Sequence, residues 1–352
     1  MSKKKIAIVG VANLINYGSN LTYFALAKAV EKLGYDFVFV LPPLNTEWGK
    51  EKDFPCYKDL PFRIDQIAAR FKTKKNMQVL NKDFDVFLLG SDQFLRPDIA
   101  LKIGRYASLD WVKYSKKKSA YATSFGYEDW RSNEKPDLNR FDFFGVREQS
   151  GVDLAKHEFG IKAEWVLDPV FLCDKKYYDE LAEKSKLNHK GITAYILDMD
   201  DEKRKIIDSF KKPVYEIYDF ENNPKRISIE DYLRAFKNSE MIITDSFHGV
   251  CFALIYHKPF IAISNVWRGV TRFSSILSLV GLSDRLVNSF DEFSSRDFKE
   301  INWAEVDDRI AKKTLVCQKF LRRACAPSPL IFLVIKRVIK KIVQWIKKLF
   351  CS

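Results

Sequence analysis

The chain has 352 residues, of which 47% are apolar and 30% are charged, and it contains only 14 Gly and 12 Pro. This composition supports two packed domains and excludes collagen-like, low-complexity and wholly disordered chains. The net charge is +13, and six of the basic residues lie in segment 327–352, which contains no acid. The remainder is only mildly basic, so the charge distribution argues against a nucleic-acid-binding surface.

The cysteines and the N-terminal sequence indicate the compartment. The six cysteines form no CxxC pair and lack the histidine spacing of a zinc site. The first lysines run directly into a strand-like segment at Lys5–Val9, without the apolar region of a secretory signal. No uncharged apolar run reaches the roughly 18 residues needed to span a bilayer. These features predict a protein of the reducing cytoplasm without a membrane-spanning helix.

Short apolar strands alternate with helical segments along the first half of the chain, a pattern typical of βαβ units and parallel sheets. The segment Leu21–Leu33 has the spacing of an amphipathic helix after the first strand, Lys5–Val9. The further strands predicted in this half are Asp36–Leu41, Asp85–Gly90, Ser119–Thr123, Phe143–Val146 and Trp165–Leu167.

The pattern begins again after residues 172–190, a charged helical stretch without a strand that we predict to connect two domains. We therefore predict an α/β fold with two Rossmann-like domains, 1–171 and 191–326, facing each other across a cleft, followed by a basic helix at 327–352. The strands predicted in the second domain are Ile192–Leu197, Val214–Ile217, Met241–Thr244 and Phe260–Ile263. The predicted helices are Asp200–Phe210, Tyr232–Lys237 and Val250–Tyr256.

Polar motifs follow several predicted strands, and ligands of open α/β sheets bind beyond the carboxyl ends of the strands. The sequence Asn16-Tyr17-Gly18-Ser19-Asn20 fits an anion or sugar-hydroxyl site at a helix N-terminus, or a turn with an N-cap. Gly90-Ser91-Asp92-Gln93 fits a cleft lining or a strand-to-helix cap. Arg147, just after a strand, suits bidentate binding of phosphate or carboxylate, or a surface ion pair with glutamate.

The densest motif is Thr244-Asp245-Ser246-Phe247-His248-Gly249-Val250, between a strand and an apolar helix. His248 is expected at or near the helix N-terminus with Asp245 close by, where it can exchange a proton near neutral pH or cap the helix. That helix end would also favour an anionic ligand. After the next strand, Arg268 and Arg272 can hold phosphate or lie solvated at the same rim.

Six motifs in this order resemble the polysaccharide pyruvyl transferase family, from about residue 5 to 290. In the second motif the usual Val-Trp that follows is replaced by Phe94-Leu95, which affects contacts to the acceptor more than the reaction. The motifs are Asn16-Tyr17-Gly18-Ser19-Asn20-Leu21, Leu89-Gly90-Ser91-Asp92-Gln93, Ser124-Phe125-Gly126, Val146-Arg147-Glu148-Gln149-Ser150, Leu167-Asp168-Pro169-Val170 and Thr244-Asp245-Ser246-Phe247-His248-Gly249.

The resemblance implies a fold similar to the glycosyltransferase B architecture. It also implies transfer of pyruvate from phosphoenolpyruvate onto two sugar hydroxyls as a cyclic ketal in capsule or exopolysaccharide synthesis. Neither a metal nor an organic cofactor is needed for this reaction. Because phosphoenolpyruvate carries a phosphate and a carboxylate, it needs at least two cationic anchors.

The implied roles divide the predicted residues into three groups. His248 would be the general acid or a phosphate ligand, oriented by Asp245. The donor would be bound by Arg147, Arg268, Arg272, Ser246 and Gly249. The acceptor sugar would meet Asn16, Tyr17, Ser19, Asn20, Asp92 and Gln93 on the facing domain.

Residues 330–350 predict an amphipathic helix, with the six basic residues and Gln344 inside an arc of about 140°. Such a helix fits an anionic membrane surface and would hold a cytoplasmic enzyme on the inner face of the cell membrane, near a lipid-linked acceptor. A helix packed back on the protein is the alternative.

Two other functions fit the same sequence. A nucleotide-sugar-dependent glycosyltransferase would use Arg147 and Arg268 to hold a diphosphate. A non-catalytic membrane-bound scaffold in glycan assembly would need neither arginine.

Overall fold

A computed structural model shows two parallel sheets flanked by helices, which confirms the predicted fold class. The structure describes residues 5–10, 16–43, 71–103, 106–218 and 227–327, together with Ile335, Val338 and Ile342. Most of the predicted basic helix at 327–352 therefore lies outside the described residues.

The first sheet has six parallel strands: β1 (Lys5–Val9), β2 (Asp36–Val40), β3 (Val86–Leu89), β4 (Lys117–Thr123), β5 (Phe143–Val146) and β6 (Glu164–Trp165). Their order is β2-β1-β3-β4-β5-β6. The direction of winding reverses between β1 and β3, and a ligand crevice is expected beyond the carboxyl ends of such a strand pair. The helices of this half are α1 (Tyr17–Lys32), α2 (Pro97–Lys102) and α3 (Ser150–Phe159).

The second sheet has five parallel strands: β7 (Ile192–Ile196), β8 (Val214–Tyr218), β9 (Met241–Thr244), β10 (Phe260–Ile263) and β11 (Leu286–Val287). Their order is β11-β10-β9-β7-β8, so the winding reverses between β7 and β9. The helices that follow β6 in the chain are α4 (Lys175–Ala182), α5 (Asp201–Asp208), α6 (Ile229–Asn238), α7 (Phe247–Ile255), α8 (Thr271–Val280), α9 (Phe290–Ser295) and α10 (Trp303–Cys325).

Several predicted strands, β1, β5, β9 and β10, agree with the structure residue for residue. Helix α1 begins at Tyr17, earlier than the predicted Leu21. The reason is local: the Asn16 side chain accepts a hydrogen bond from the Ser19 amide at 3.0 Å and caps the helix there. The polar motif is therefore part of the first helical turn.

The predicted connection, 172–190, contains helix α4, which packs on the second half of the molecule. The rings of Tyr178 and Phe252 lie 5.2 Å apart edge to face, and Lys237 pairs with Asp179 at 3.0 Å. Since these contacts join α4 to α6 and α7, the segment behaves as part of the second domain's surface.

Helix α10 crosses back to the first sheet. The Ser119 hydroxyl donates to the Ala324 carbonyl at 2.9 Å, and the ring of Phe320 lies 6.0 Å from that of Tyr121. The end of the predicted second domain thus completes the core of the first, and the two sheets are tied together by their last helix.

Tyr17 also joins the two halves of the molecule. Its ring stacks on that of Tyr232 with centroids 4.9 Å apart, and its hydroxyl donates to the Ile227 carbonyl at 3.0 Å. The ring of Tyr195 packs against both tyrosines. The start of α1 is therefore fixed by side chains of the second half.

Candidate active site

The carboxylate of Asp168 contacts residues from both halves of the molecule. It lies three residues beyond the end of β6, in the sequence Leu167-Asp168-Pro169, and is fully buried. Its oxygens accept hydrogen bonds from the Thr22 hydroxyl and from Arg147 Nη1, both at 2.7 Å. On the other side, Nε2 of His248 lies 3.4 Å from Oδ2 of Asp168. One carboxylate thus contacts α1, the end of β5 and the first turn of α7.

Two opposing effects act on Asp168. Burial alone would raise its pKa, but His248 and Arg147 outweigh burial and hold the pKa well below its usual range. Asp168 is therefore an anion at neutral pH that can fix the position of the charged groups around it.

His248 sits in the first turn of α7, after Ser246, whose hydroxyl accepts from the Gly249 amide at 3.4 Å and caps the helix. Helix α1 approaches the imidazole so closely that a methyl group at Gly18 would overlap it. Nε2 is buried and has no hydrogen-bond partner among the described residues. Gly18 therefore leaves the space that the imidazole fills.

Arg147 and Arg272 lie against the same aromatic ring. The guanidinium carbons are 4.9 Å and 5.4 Å from the ring centroid of Phe247. Burial, followed by the nearby charge of Arg147, lowers the pKa of Arg272 to about 9. The pKa of Arg147 is raised, because its carboxylate neighbours, Asp168 foremost, outweigh its burial.

These two guanidinium groups retain unused donors. Arg147 gives Nη1 to Asp168, and Arg272 gives Nη2 to the Arg268 carbonyl at 2.6 Å. Nε and Nη2 of Arg147 and Nε of Arg272 are buried without a hydrogen-bond partner in the described part of the chain. Buried N–H groups without acceptors are costly, so the geometry is suited to a bound anion that accepts from both arginines.

Among the described residues, Glu148 does not supply the missing acceptor for these N–H groups. Its Oε1 accepts from the Phe125 amide at 2.7 Å, and burial raises its pKa. Asp92 lies at the more open side, with Oδ1 3.7 Å from Nη2 of Arg147. At this distance it pairs electrostatically with Arg147 without forming a hydrogen bond.

Asp245 and Arg268 belong to a neighbouring network at the reversal point between β7 and β9. Asp245 accepts from the Leu197 amide at 2.6 Å and from Asn265 Nδ2 at 2.9 Å, and it pairs with Lys203 at 3.1 Å. Burial raises the pKa of Asp245 despite these donors. Asp245 was expected to orient His248, but the carboxylate beside His248 is that of Asp168.

Arg268 holds the carboxylate of Asp198 with two hydrogen bonds, at 2.6 Å and 3.0 Å. Of the three arginines expected to bind the donor, Arg147 and Arg272 are therefore the two that share the ring of Phe247. The Arg268 backbone carbonyl accepts from Arg272 and from Gln93 Nε2 at 2.8 Å.

The predicted acceptor residues fall in different environments. Asn16 caps α1, Ser19 is buried in its first turn, and Tyr17 packs between aromatic rings. Asn20 is fully buried, and neither polar atom of its amide has a hydrogen-bond partner among the described residues. Asp92 and Gln93 lie at the junction itself. Gly249 packs so tightly on Thr244 that a side chain would overlap the threonine hydroxyl.

Asp168 and Phe247 are central to this cluster but were not among the predicted site residues. A signal for each is visible in the sequence: an acid directly after an apolar run and before Pro169, and an aromatic residue beside His248. What the sequence lacks is the distance between them, because Asp168 and His248 are brought together only by the packing of the two halves.

The fold places the protein among two-domain proteins with facing Rossmann-like sheets. UDP-GlcNAc 2-epimerase from Methanocaldococcus jannaschii aligns with a TM-score of 0.51 at 16% identity, covering 88% of this chain and 98% of that one. The corresponding enzyme from Rickettsia bellii gives 0.49 at 10% identity over 99% of both chains. The Thermobaculum terrenum O-GlcNAc transferase mutant gives 0.47 at 9% identity, covering 96% of this chain and 67% of that one.

The sequence comparison is more specific. A profile of polysaccharide pyruvyl transferases matches residues 16–266, and the chain belongs to that family. The match includes Arg147, Asp168 and His248 but ends before Arg272. No curated protein matches the chain in a sequence search. The family supports a transferase that acts in polysaccharide synthesis by pyruvyl transfer.

Proposed function

We propose that this protein transfers pyruvate from phosphoenolpyruvate to two hydroxyls of a sugar in a lipid-linked glycan precursor, forming a cyclic ketal and releasing phosphate. The observation that carries the proposal is the set of unused buried N–H donors of Arg147 and Arg272, around Phe247 and beside His248. Two guanidinium groups suit a donor with two anionic groups.

In the proposed reaction, His248 gives a proton to the methylene carbon of phosphoenolpyruvate, which makes C2 electrophilic. One sugar hydroxyl adds to C2 and loses its proton. The bond between C2 and the phosphate oxygen then breaks, and the second hydroxyl adds to C2 to close the ketal. Of the two hydroxyl protons, one restores His248 and the other leaves with phosphate.

Asp168 would act as a positioning residue in this reaction. It accepts a hydrogen bond from Nη1 of Arg147 at 2.7 Å and faces Nε2 of His248. The same carboxylate would thus position the arginine that binds phosphoenolpyruvate and the histidine that gives the proton. Because Asp168 occupies only one side of Arg147, the remaining N–H groups are left for the donor. Gln93 and Asp92 are the proposed contacts to the acceptor.

The direct test is an assay with purified protein, phosphoenolpyruvate and a glycan-lipid extract. We expect phosphate release that depends on the extract, together with a glycan product that carries an additional carboxylate. Nucleotide release from an activated sugar, with no consumption of phosphoenolpyruvate, would instead identify a glycosyltransferase.

We also propose that the enzyme works on the inner face of the cell membrane through residues 330–350. The six basic residues of segment 327–352 have no acidic neighbour within it. Ile335, Val338 and Ile342 are helical and each exposes about half of its surface, 49%, 51% and 50% respectively. Cations and an exposed apolar stripe suit an anionic bilayer surface. Among the described residues, no helix is long and apolar enough to cross a membrane.

A further inference from the structure

Trp267 is 85% exposed, although it lies at the junction between the two halves. It is in the short 3-10 turn Val266–Arg268, which directly follows β10. With so little of its surface buried, the indole contributes little to the packing of the core.

The loop that carries Trp267 is held from its own domain. The Asn265 amide donates to Asp198 at 2.6 Å and to Asp245 at 2.9 Å, and Arg268 binds Asp198 through two further hydrogen bonds. The residues on both sides of Val266 and Trp267 are thereby fixed.

The facing domain holds the same loop. Gln93 Nε2 donates to the Arg268 carbonyl at 2.8 Å, and the Tyr127 hydroxyl donates to the Trp267 carbonyl at 3.4 Å. Gly269, at φ +86°, lies so close to the Gly126 carbonyl that a side chain would overlap it. The backbone under Trp267 is therefore rigid while its side chain faces solvent.

The loop also touches the proposed donor site. The Arg268 carbonyl accepts from Arg272 at 2.6 Å, and Arg272 lies on the ring of Phe247 together with Arg147. One peptide unit separates Trp267 from that carbonyl. Trp267 is therefore on the loop whose backbone binds the Arg272 guanidinium.

Two arginines lie near Tyr127, whose hydroxyl contacts the Trp267 backbone. The ring of Tyr127 has Arg131 at 4.2 Å and Arg96 at 5.9 Å, and both guanidinium groups are hydrogen-bonded to nearby aspartates. A pyranose ring has an apolar C–H face, which can stack on a flat indole, and a rim of hydroxyls, which needs hydrogen-bonding groups nearby. A rigid platform also loses little entropy when the ligand binds.

We propose that Trp267 is the stacking platform for a pyranose ring of the acceptor glycan. This inference rests on the proposed function for its reaction but makes a separate claim about sugar binding. An indole inserted into a bilayer is the competing occupant, and a position pinned by both domains beside the donor site favours the glycan.

The kinetic test compares Trp267→Ala, Trp267→Phe and the wild type with phosphoenolpyruvate and the glycan-lipid extract. Loss of the stacked ring should raise the acceptor KM by about three- to tenfold, with the phosphoenolpyruvate KM unchanged and most of the effect restored by phenylalanine. An unchanged acceptor KM in Trp267→Ala, with unaltered melting temperature, would overturn the proposal.

The binding test needs no reaction. The chain has seven tryptophans, so the protein labelled with 5-fluorotryptophan gives resolvable ¹⁹F signals, and Trp267→Phe identifies the one from Trp267. Methyl hexopyranosides at millimolar concentration should shift that signal but not the signal of Trp303, which stacks on His257 at 5.0 Å.

Two results would contradict the proposal: no shift of the Trp267 signal with any pyranoside, or a shift only with vesicles of phosphatidylglycerol. Calorimetry with phosphoenolpyruvate alone separates this inference from the proposed function. A protein that binds pyranosides at Trp267 but does not bind phosphoenolpyruvate would retain the platform and lose the assigned reaction.

Discussion

Single side chains define the charge at the domain junction. Asp168 neutralises one side of Arg147, whereas among the described residues no carboxylate lies at hydrogen-bond distance from Arg272, and burial lowers the pKa of Arg272 to about 9. A buried cation whose pKa is lowered destabilises the unliganded fold at neutral pH. An anion between the two arginines would offset that cost, which links the stability of the protein to its ligand.

We expect Arg272→Met to leave the melting temperature unchanged or higher without ligand, and to shrink the increase produced by inorganic phosphate. Loss of a charge-assisted hydrogen bond of about 1.5–3 kcal/mol should raise the phosphoenolpyruvate KM by about ten- to a hundredfold. Arg147→Ala should show the same loss of donor binding but should unfold more readily, because it removes the charged hydrogen-bond donor of the buried Asp168 carboxylate. Thermal melts with phosphate, together with steady-state kinetics, measure both effects.

The matched control is Arg131→Met, which removes an exposed guanidinium that pairs with Asp129 at 2.9 Å and lies on the ring of Tyr127. It should keep donor kinetics and the response to phosphate. If Arg272→Met behaves like this control, the buried arginine is structural.

We expect His248→Gln to lower turnover by about 10²–10⁴-fold, since a general acid contributes that much to a rate. His257→Gln is the control, because His257 is exposed and bound to Asp307 at 2.9 Å. The measurement is kcat for phosphate release with saturating donor. A glutamine variant within a few-fold of the wild type would show that His248 is not the general acid and only packs at this junction.

The lowered pKa of Asp168 predicts how the stability of the fold depends on pH. Its pKa is lower when folded than the unfolded value of about 3.9, so it stabilises the fold above that value and loses this effect as pH falls through the folded pKa. Asp168→Asn should therefore be less stable than the wild type at pH 7, with the difference shrinking below about pH 4.

Denaturant unfolding at several pH values measures this, with the exposed Asp129→Asn as control. An equal loss of stability at pH 7 and in acid would show that the charge of Asp168 contributes nothing beyond its shape.

At the scale of elements, the start of α1 and the start of α7 form one unit. Asn16 fixes where α1 begins, Tyr17 anchors it to the facing aromatic side chains, and Gly18 admits the imidazole of His248. The motif from Asn16 to Asn20 thus affects the site by fixing where α1 begins and how closely it approaches His248.

We expect Gly18→Ala to reduce turnover strongly, because the added methyl group must displace His248 or separate the helices. The control is Gly34→Ala, at φ +88° with open space around it, which should lose about 1 kcal/mol of stability through backbone strain and keep its activity. Kinetics and melts of both variants distinguish the effects. Full activity in Gly18→Ala would contradict the close contact.

The strands were predictable because buried parallel strands appear as short apolar runs between turn residues, as in Phe143–Val146 and Met241–Thr244. Helix α10 was not predicted, and its return to the first sheet depends on contacts between Phe320, Ser119 and residues distant in sequence. Arg147 and His248 could be singled out from the sequence, because the first directly follows a strand and the second lies in a polar motif between a strand and a helix. The sequence could not show that Arg272 rather than Arg268 lies against Phe247, because this depends on how the chain turns at Gly269, between the 3-10 turn of Arg268 and helix α8.

At the scale of the whole molecule, two parallel sheets meet at a charged junction, and a basic segment follows their last helix. We expect truncation after Ala326 to release the protein from anionic vesicles, while activity on a short soluble acceptor is kept. Each cation near an anionic surface contributes about 1 kcal/mol, reduced by salt. Co-sedimentation with vesicles measures binding.

Two variants separate the contributions of charge and apolar surface. Glutamine at the six basic positions should abolish the salt-sensitive part, and serine at Ile335, Val338 and Ile342 should abolish the remainder. Serine at Leu315 and Val316, which are 60% and 52% exposed on α10, is the matched control and should bind as the wild type does. Equal sedimentation of full-length and truncated protein would contradict membrane binding by this segment.

The most direct measurement of the central claim uses phosphoenolpyruvate labelled with ¹³C in its three carbons, incubated with the protein and the glycan-lipid extract. Mass spectrometry of the glycan should find the three labelled carbons as a ketal, in amounts equal to the phosphate released, and Arg272→Met and His248→Gln should lower both together. Phosphate release without label in the glycan, or a labelled glycan that forms equally well with His248→Gln, would contradict pyruvyl transfer at this junction.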